Sequence, residues 1–394
     1  MIALIDGEHH PGAVREALER LAAQSELVGV VLAGGGEKLP PGPLEEIYGR
    51  PVRDDPEQAL RDLAGAADGV MDLADEPALP ASARLRLASL ALHLGLVYAA
   101  PGLTLEPPRY KSLAFEGPTL AIIGTAKRTG KTAVAGHWAG LLRDQGLDPV
   151  MVCMGRGGPA EPRVAQAGTA LQELVAVAEA GGHGASDFLE NAALAGVRTV
   201  GCRRVGGGPA GVPAESNLLA GANLAASLGP GSLVFEGSGG CVPPVEVDRT
   251  VCVAGAGAAE PFAEYRLLRA DLVLAAPGAA VEGFRFELRA EPAEPIAPGA
   301  RVALFTTGGT RCEGVEPVVA SANLARRVAL AADLDRAAAE ACDVYLTELK
   351  AAAIDMVALR ARAEGARVAF VRNRPVGLEG DLDSELNALV PARA

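Results

Sequence analysis

The feature that most limits the fold is a repeated alternation of short apolar runs with amphipathic segments along nearly the whole 394-residue chain. MIALI is followed by a helical stripe of Val14, Leu18 and Leu21 within residues 12–24. LVGVVLAG (27–34), a helix near Pro43 to Tyr48, a helix beginning at Asp55, the strand GVMDLAD (69–75) and a helix from Ser82 to Gly95 continue the rhythm. Such a βαβα succession predicts a parallel sheet with helices on both faces. Apolar residues at 49% and charged residues at 22% exclude a disordered chain, and the length calls for two or three domains.

The segment LTLEPPRYKSLAFEGP (103–118) carries three prolines and no helical stripe, so a domain boundary is placed there. It separates a Rossmann-like α/β domain over 1–115 from a larger α/β domain over 116–394. In the latter the alternation resumes through TLAIIGT, PVMVCMG, RTVGCRR, SLVFEG, TVCVAG and DLVLAAP. AEPAEPIAPGA (290–300) reads as a linker or surface crossing. RVALFTTGG, DVYLTEL and ARVAFVRNRP beyond it either extend the same sheet or build a subdomain over 300–394.

A net charge of −13 without any basic run argues against duplex nucleic acid as a partner. An acidic protein binds anions only where it gathers its few cations, so clustered Arg and Lys become informative. The six cysteines form no CxxC pair, which argues against a zinc site or a disulfide framework. No basic leader and no apolar run of 18 residues is present, so the expectation is a cytoplasmic protein without a membrane partner.

The strongest chemical signal is IIGTAKRTGKT (122–132): an apolar strand, a loop ending Gly130-Lys131-Thr132, and an apolar helix. This is the context of a phosphate-binding loop. Gly124, Thr125, Thr129, Gly130, Lys131, Thr132 and Ala133 form the expected nucleotide cradle, with Lys131 on the β/γ-phosphates and the Thr132 hydroxyl on Mg²⁺. Five residues separate Gly124 from Gly130, one more than the usual motif, so either Thr125 replaces the first glycine or the loop is longer. Lys127 and Arg128 add charge for a second anion or for the transferred phosphoryl group.

Further along, SLVFEGSGG ends an apolar strand in Glu236, a carboxylate suited to complete a Mg²⁺ shell begun by Thr132. Asp187 is a second candidate ligand or a water-orienting group, and His183 reads as a surface residue. Arg156, Arg203 and Arg204 flank glycines, where guanidinium forks can approach a polyanion. Asp6, Glu8, His9 and His10 follow the first strand and mark a place for admitting substrate or handling protons.

The GTxxxxGKT loop at 124–132 and the EGSGG segment at 236–240 resemble dethiobiotin synthetase, in which the Glu is a metal ligand. MGRGGP, SDFLE and GCRRVGGG, together with the opening IDGEHHP, make the chain resemble the cyclic 2,3-diphosphoglycerate synthetase family over almost its full length. That resemblance implies a P-loop NTPase domain of the dethiobiotin synthetase and MinD-like type, with ATP and Mg²⁺ as cofactors, a phosphoglycerate as substrate and a homodimer as the assembly. It implies ATP-driven closure of an intramolecular phosphoanhydride, with phosphorylation of 2-phosphoglycerate as an associated activity. Asn373 in VRNRP follows a strand much as the adenine-contacting Asn does in dethiobiotin synthetase. Two rival readings are activation of another small acid and a MinD-like nucleotide switch. Against the switch, Lys127 stands three residues before Gly130 rather than four.

Overall fold

The computed structural model describes residues 1–257 and 259–391, which divide into two compact units. The first comprises Met1–Arg109 together with two later excursions of the chain, Gly208–Val212 and Glu260–Arg269. Its strands are β1 (Ile2–Ile5), β2 (Gly29–Leu32), β3 (Val52–Arg53), β4 (Gly69–Asp72), β5 (Val97–Ala100) and β6 (Leu103–Leu105). They lie in the order β3-β2-β1-β4-β5-β6, parallel except for β6. This is the Rossmann arrangement expected from the alternation, with the topological switch between β1 and β4. The antiparallel β6 comes from the proline-containing segment at which the strand–helix alternation breaks off.

All four residues of β1 are buried, because helices cover both faces of this central strand. At its carboxyl end the backbones pack without side chains between them. A Cβ on Gly7 would stand 2.0 Å from the Gly35 carbonyl oxygen, and one on Gly34 would stand 1.9 Å from that of Ala78.

The second unit carries β7 (Thr119–Gly124), β8 (Pro149–Gly155), β9 (Arg163–Ala165), β10 (Arg198–Val205), β11 (Glu215–Ser216), β12 (Ser232–Glu236), β13 (Arg249–Ala254) and β14 (Leu272–Ala275). Then follow β15 (Phe284–Pro292), β16 (Val302–Phe305), β17 (Val319–Ser321), β18 (Val344–Glu348) and β19 (Arg367–Gly377). One continuous sheet holds them all in the order β11-β10-β8-β12-β7-β13-β14-β15-β19-β18-β16-β17, with β9 beside β10. The segments after residue 300 therefore extend the same sheet.

The join lies in β15. Its first residues pair in parallel with β14 (Leu274 with Phe284, Ala275 with Arg285), and Phe286–Pro292 pair antiparallel with β19. The stretch from 290 to 300, read from sequence as a linker, thus begins inside a strand: Ala290, Glu291 and Pro292 face Asn373, Arg372 and Val371. Its apolar residues Phe284, Phe286, Leu288 and Ala290 do alternate with Arg285, Glu287, Arg289 and Glu291, the period of a strand, and the prolines that follow are what make the stretch read as a linker. β16, β17, β18 and β19 are parallel to one another, so this set runs opposite to the β7 set.

Replacing Gly7 by Ala should cost about 3 kcal/mol through overpacking of backbone on backbone. Chemical denaturation followed by far-UV circular dichroism is expected to show it, with Gly65→Ala, where nothing lies within 4 Å, as the control.

Candidate functional site

The centre of the second unit is a cavity of about 750 Å³ at the carboxyl ends of β7, β8 and β12, and the ends of β16 and β18 reach it too. Opposed polarity together with an offset explains the convergence: β15 runs on to Pro292 beyond its last pairing with β14 at Arg285, and β18 pairs only with Arg367–Val371 of β19, so the second set is displaced along the strands and its carboxyl ends point back towards those of the first. This is where open α/β sheets collect ligands.

The loop between β7 and the helix Lys131–Asp144 is the longer form, with five residues enclosed between Gly124 and Gly130. Gly124 is required by close approach: a Cβ there would meet Thr129 Oγ1 at 2.7 Å and the Val253 carbonyl at 2.9 Å. Gly130 caps the helix at φ 98°, in the left-handed region. Lys131 curls over the loop, its Nζ donating to the Ala126 carbonyl at 2.6 Å and to Thr129 Oγ1 at 3.3 Å. The helix N-terminus, with Thr132 and Ala133, opens into the cavity.

Thr132 Oγ1 donates to Glu236 Oε1 at 2.5 Å, and Asn191 Nδ2 donates to Glu236 Oε2 at 2.9 Å. Glu236 is 2% exposed. Burial pushes its carboxyl well above the usual range, and the Asp187 charge adds to this against the Thr132 hydrogen bond. A divalent cation would relieve that cost. Two hard oxygens side by side at the P-loop, with Asp187 on the same cavity, fit Mg²⁺, which binds through one or two carboxylates and completes its shell with phosphate oxygens and water. Among the described residues no cluster of three His, Cys, Asp or Glu could hold a metal unaided.

The basic side chains converge next to Glu236. A Cβ on Gly239 would stand 2.8 Å from Arg156 Nη2 and 3.4 Å from both Arg204 Nη2 and Lys127 Cγ. Lys127, Arg128, Arg156, His183 and Asp187 all line the cavity. The neighbours Arg203 and Arg204 part company, because successive residues of a strand face opposite ways. Arg203 is exposed and does not line the cavity. Arg204 is 6% exposed and donates to the Gly206 carbonyl at 2.6 Å and the Ser238 carbonyl at 2.8 Å, fastening the turn that follows Glu236.

Asn373 lines this cavity and an adjoining one of about 340 Å³, as do Thr132 and Ala133. Its Nδ2 donates to Glu348 Oε1 at 3.0 Å, while Glu348 Oε2 accepts from Thr307 N at 2.6 Å and Thr307 Oγ1 at 2.7 Å.

In the first unit the residues after β1 are engaged with one another. Asp6 accepts from the backbone of Glu8, His9 and Asp75 and from His9 Nδ1 at 2.9 Å. Burial alone would raise its pKa, but these donors hold it below the ordinary value, and Asp6 in turn raises that of His9. Glu8 pairs with Lys38, and the His10 ring caps the helix Pro11–Gln24.

With this geometry in place, the similarities to known proteins are decisive. Residues 1–106, 119–280 and 299–374 match, in turn, the N-terminal domain, the P-loop domain and the C-terminal domain described for cyclic 2,3-diphosphoglycerate synthetase. The chain belongs to the cyclic 2,3-diphosphoglycerate synthetase family. It is 42% identical over 427 residues to the synthetase of that name from Rubrobacter xylanophilus, covering 96% of this chain and 95% of the relative. The counterpart from Methanothermobacter thermautotrophicus is 35% identical over 449 residues, covering 99% and 95%. Among solved structures, LpxK from Aquifex aeolicus in complex with ATP is similar over 71% of this chain and 89% of its own at 15% identity, with a TM-score of 0.42.

Membership makes the chain an ATP-dependent synthetase with a P-loop nucleotide domain. The family's P-loop and C-terminal segments both border the 750 Å³ cavity. Asn191, Glu190, Glu348 and Lys350 were missed as site residues. A signal existed for the first two: Asp187, Glu190 and Asn191 fall at i, i+3 and i+4 of an otherwise apolar helix, Asp187–Leu194, and so share one face. None of the described helices is long and apolar enough to cross a membrane.

Gly239→Ala introduces a side chain at φ 63° against Arg156. Turnover should fall about 10- to 100-fold through misplacement of that guanidinium, beside a drop of about 2–4 °C in melting temperature from the left-handed backbone. Steady-state kinetics beside a thermal melt checks this.

Proposed function

We propose that this synthetase uses Mg-ATP to join the two phosphates of 2,3-diphosphoglycerate into a cyclic phosphoanhydride. The observation that carries this reading is the pairing, within one cavity, of a P-loop and its Glu236 carboxylate with a second cationic group, Arg156 and Lys127, gathered on Gly239. A nucleotide alone requires only the first of these; a second polyanion requires the other.

The loop amides, the helix N-terminus and Lys131 hold the β- and γ-phosphates, and Thr132 with Glu236 would hold Mg²⁺. The ion, when bound, neutralises charge on the phosphate oxygens. A substrate phosphate oxygen attacks the γ-phosphorus in line, the bond to the β-phosphate oxygen breaks, and ADP leaves with the electron pair. The neighbouring substrate phosphate then attacks the substrate phosphorus that now carries the transferred group, forming the P–O–P ring as the bond to the bridging oxygen breaks and the transferred group leaves as inorganic phosphate. Both nucleophiles are already anions, so the chain has to supply alignment and positive charge rather than a base. Arg156, Lys127 and Arg128 oppose the repulsion between the two phosphates, and Arg204 holds the Ser238 turn against which Arg156 rests.

The reading includes adenine as the base. Glu348 can only accept, so it orients the Asn373 amide with nitrogen towards itself and leaves the carbonyl oxygen for a ligand. An acceptor there suits the amino group of adenine and opposes the oxo group of guanine. Glu348→Gln frees the amide to turn and should reduce the preference for ATP over GTP about tenfold, measured as the ratio of kcat/KM values.

The reaction itself is tested by incubating the enzyme with Mg-ATP and 2,3-diphosphoglycerate, 2-phosphoglycerate or 3-phosphoglycerate while following ADP, phosphate and the phosphorus NMR spectrum. Cyclic product is expected from the diphosphate substrate, and Arg156→Ala should lower its rate about 100-fold while leaving ATP affinity within about threefold. Nucleotide hydrolysis with no cyclic product from any of the three would overturn the assignment.

A further inference from the structure

Lys350 follows β18 by two residues and lines the 750 Å³ cavity. Lys127, Arg128, Lys131 and Arg156, the Lys and Arg side chains that the P-loop segment contributes to that cavity, come from the loops after β7 and β8. Among the described lining residues Lys350 is the one Lys or Arg contributed by the strands after residue 300. Those strands run opposite to the β7 set, so Lys350 enters the cavity from a different part of the sheet than the P-loop cations.

Its partner is Glu190, on the helix Asp187–Leu194, with Lys350 Nζ 3.4 Å from Glu190 Oε1. That distance is long for a hydrogen bond between charged groups, so the ammonium is held loosely and retains donors for another acceptor. Glu190 is itself buried, and its Oε2 has no hydrogen-bond partner. A pair serving stability alone would be expected to satisfy both oxygens, since a buried and half-satisfied carboxylate is costly. Burial raises the Glu190 carboxyl to about 7, with the Lys350 charge working against the rise.

We infer that Lys350 is a further catalytic residue, contacting the phosphoryl group as it passes from ATP to the second anion, and that Glu190 is the positioning residue that aims it. Lys350 stays protonated throughout: the phosphorus–oxygen bond to ADP breaks, the bond to the substrate phosphate forms, and no proton moves. A cation brought to the same cavity as Lys131 by a separate segment stabilises charge that spreads over the equatorial oxygens in the transition state. The inference rests on the proposed reaction.

The test compares Lys350→Met, Lys350→Arg, Glu190→Gln and the double variant Lys350→Met/Glu190→Gln. Readouts are kcat and KM for Mg-ATP and 2,3-diphosphoglycerate, ATP affinity by calorimetry, and thermal melts. Lys350→Met should lower kcat about 100-fold with ATP affinity within about threefold, and Lys350→Arg should recover about tenfold of the loss. Glu190→Gln should lower kcat about tenfold in the wild-type background and have no further effect beside Lys350→Met, because it acts through the lysine. A kcat for Lys350→Met within threefold of wild type, or effects of the two substitutions that multiply, would overturn the inference. Should Lys350→Met fail to fold, Lys350→Gln carries the same comparison. A wild-type enzyme that forms no cyclic product refutes the proposed reaction, whereas an active wild type beside an equally active Lys350→Met variant refutes the role of Lys350 alone.

Discussion

The pairing of β15 with β19 is the contact on which the catalytic unit depends. β15 continues the sheet of β14 for two residues and then, from Phe286 onward, meets a neighbour running the other way. A parallel strand in that place would have sent β16 and β18 upward with β7, and their carboxyl ends would have stood side by side along one edge. Reversal, with β15 paired on Val371–Gly377 of β19 and β18 on Arg367–Val371, makes the two sets of ends face a common space. A nucleotide cradle and a second wall of polar groups are then built from backbone that is rigid on both sides, which is what in-line transfer between two anions demands.

Around that space the side chains form two linked hydrogen-bonded sets. One runs from Thr132 through Glu236 to Asn191 and places two oxygens and a buried charge at the helix N-terminus. The other centres on Glu348, which ties the Thr307 backbone to the Asn373 amide. The Glu190 and Lys350 pair joins the helix of the first set to the strand of the second. Electrostatics and geometry thus reinforce each other: carboxylates that would be costly alone are each answered by a donor or a cation, and the anionic ligands meet a preorganised surface.

The first unit shows a different use of the same Rossmann order. At its switch point Asp6 takes up backbone donors from both neighbouring loops, those of Glu8, His9 and Asp75, in a place where an open α/β sheet often receives a ligand. Of the residues read as substrate-handling groups, Asp6 and His9 reach the Asp75 loop, Glu8 pairs with Lys38 and His10 caps the following helix, and glycines let the loops touch backbone to backbone.

Much of the architecture and the nucleotide loop were legible from residue pattern, because both are local. Hydrophobic period, a strand–loop–helix in register with Gly130-Lys131-Thr132, and an acidic strand tip at Glu236 all declare themselves within a dozen residues. What tertiary structure alone decided is which distant groups share the cavity. It parted Arg203 from Arg204 across the two faces of β10, it made Arg204 a clamp on Ser238, and it brought Asn191, Glu348 and Lys350 beside the P-loop. The physical reason is that strand polarity and register act between distant segments, β15 and β19 pairing residues roughly eighty to ninety positions apart, and the period-two alternation of β15 marks it as a strand without naming its partner or that partner's direction.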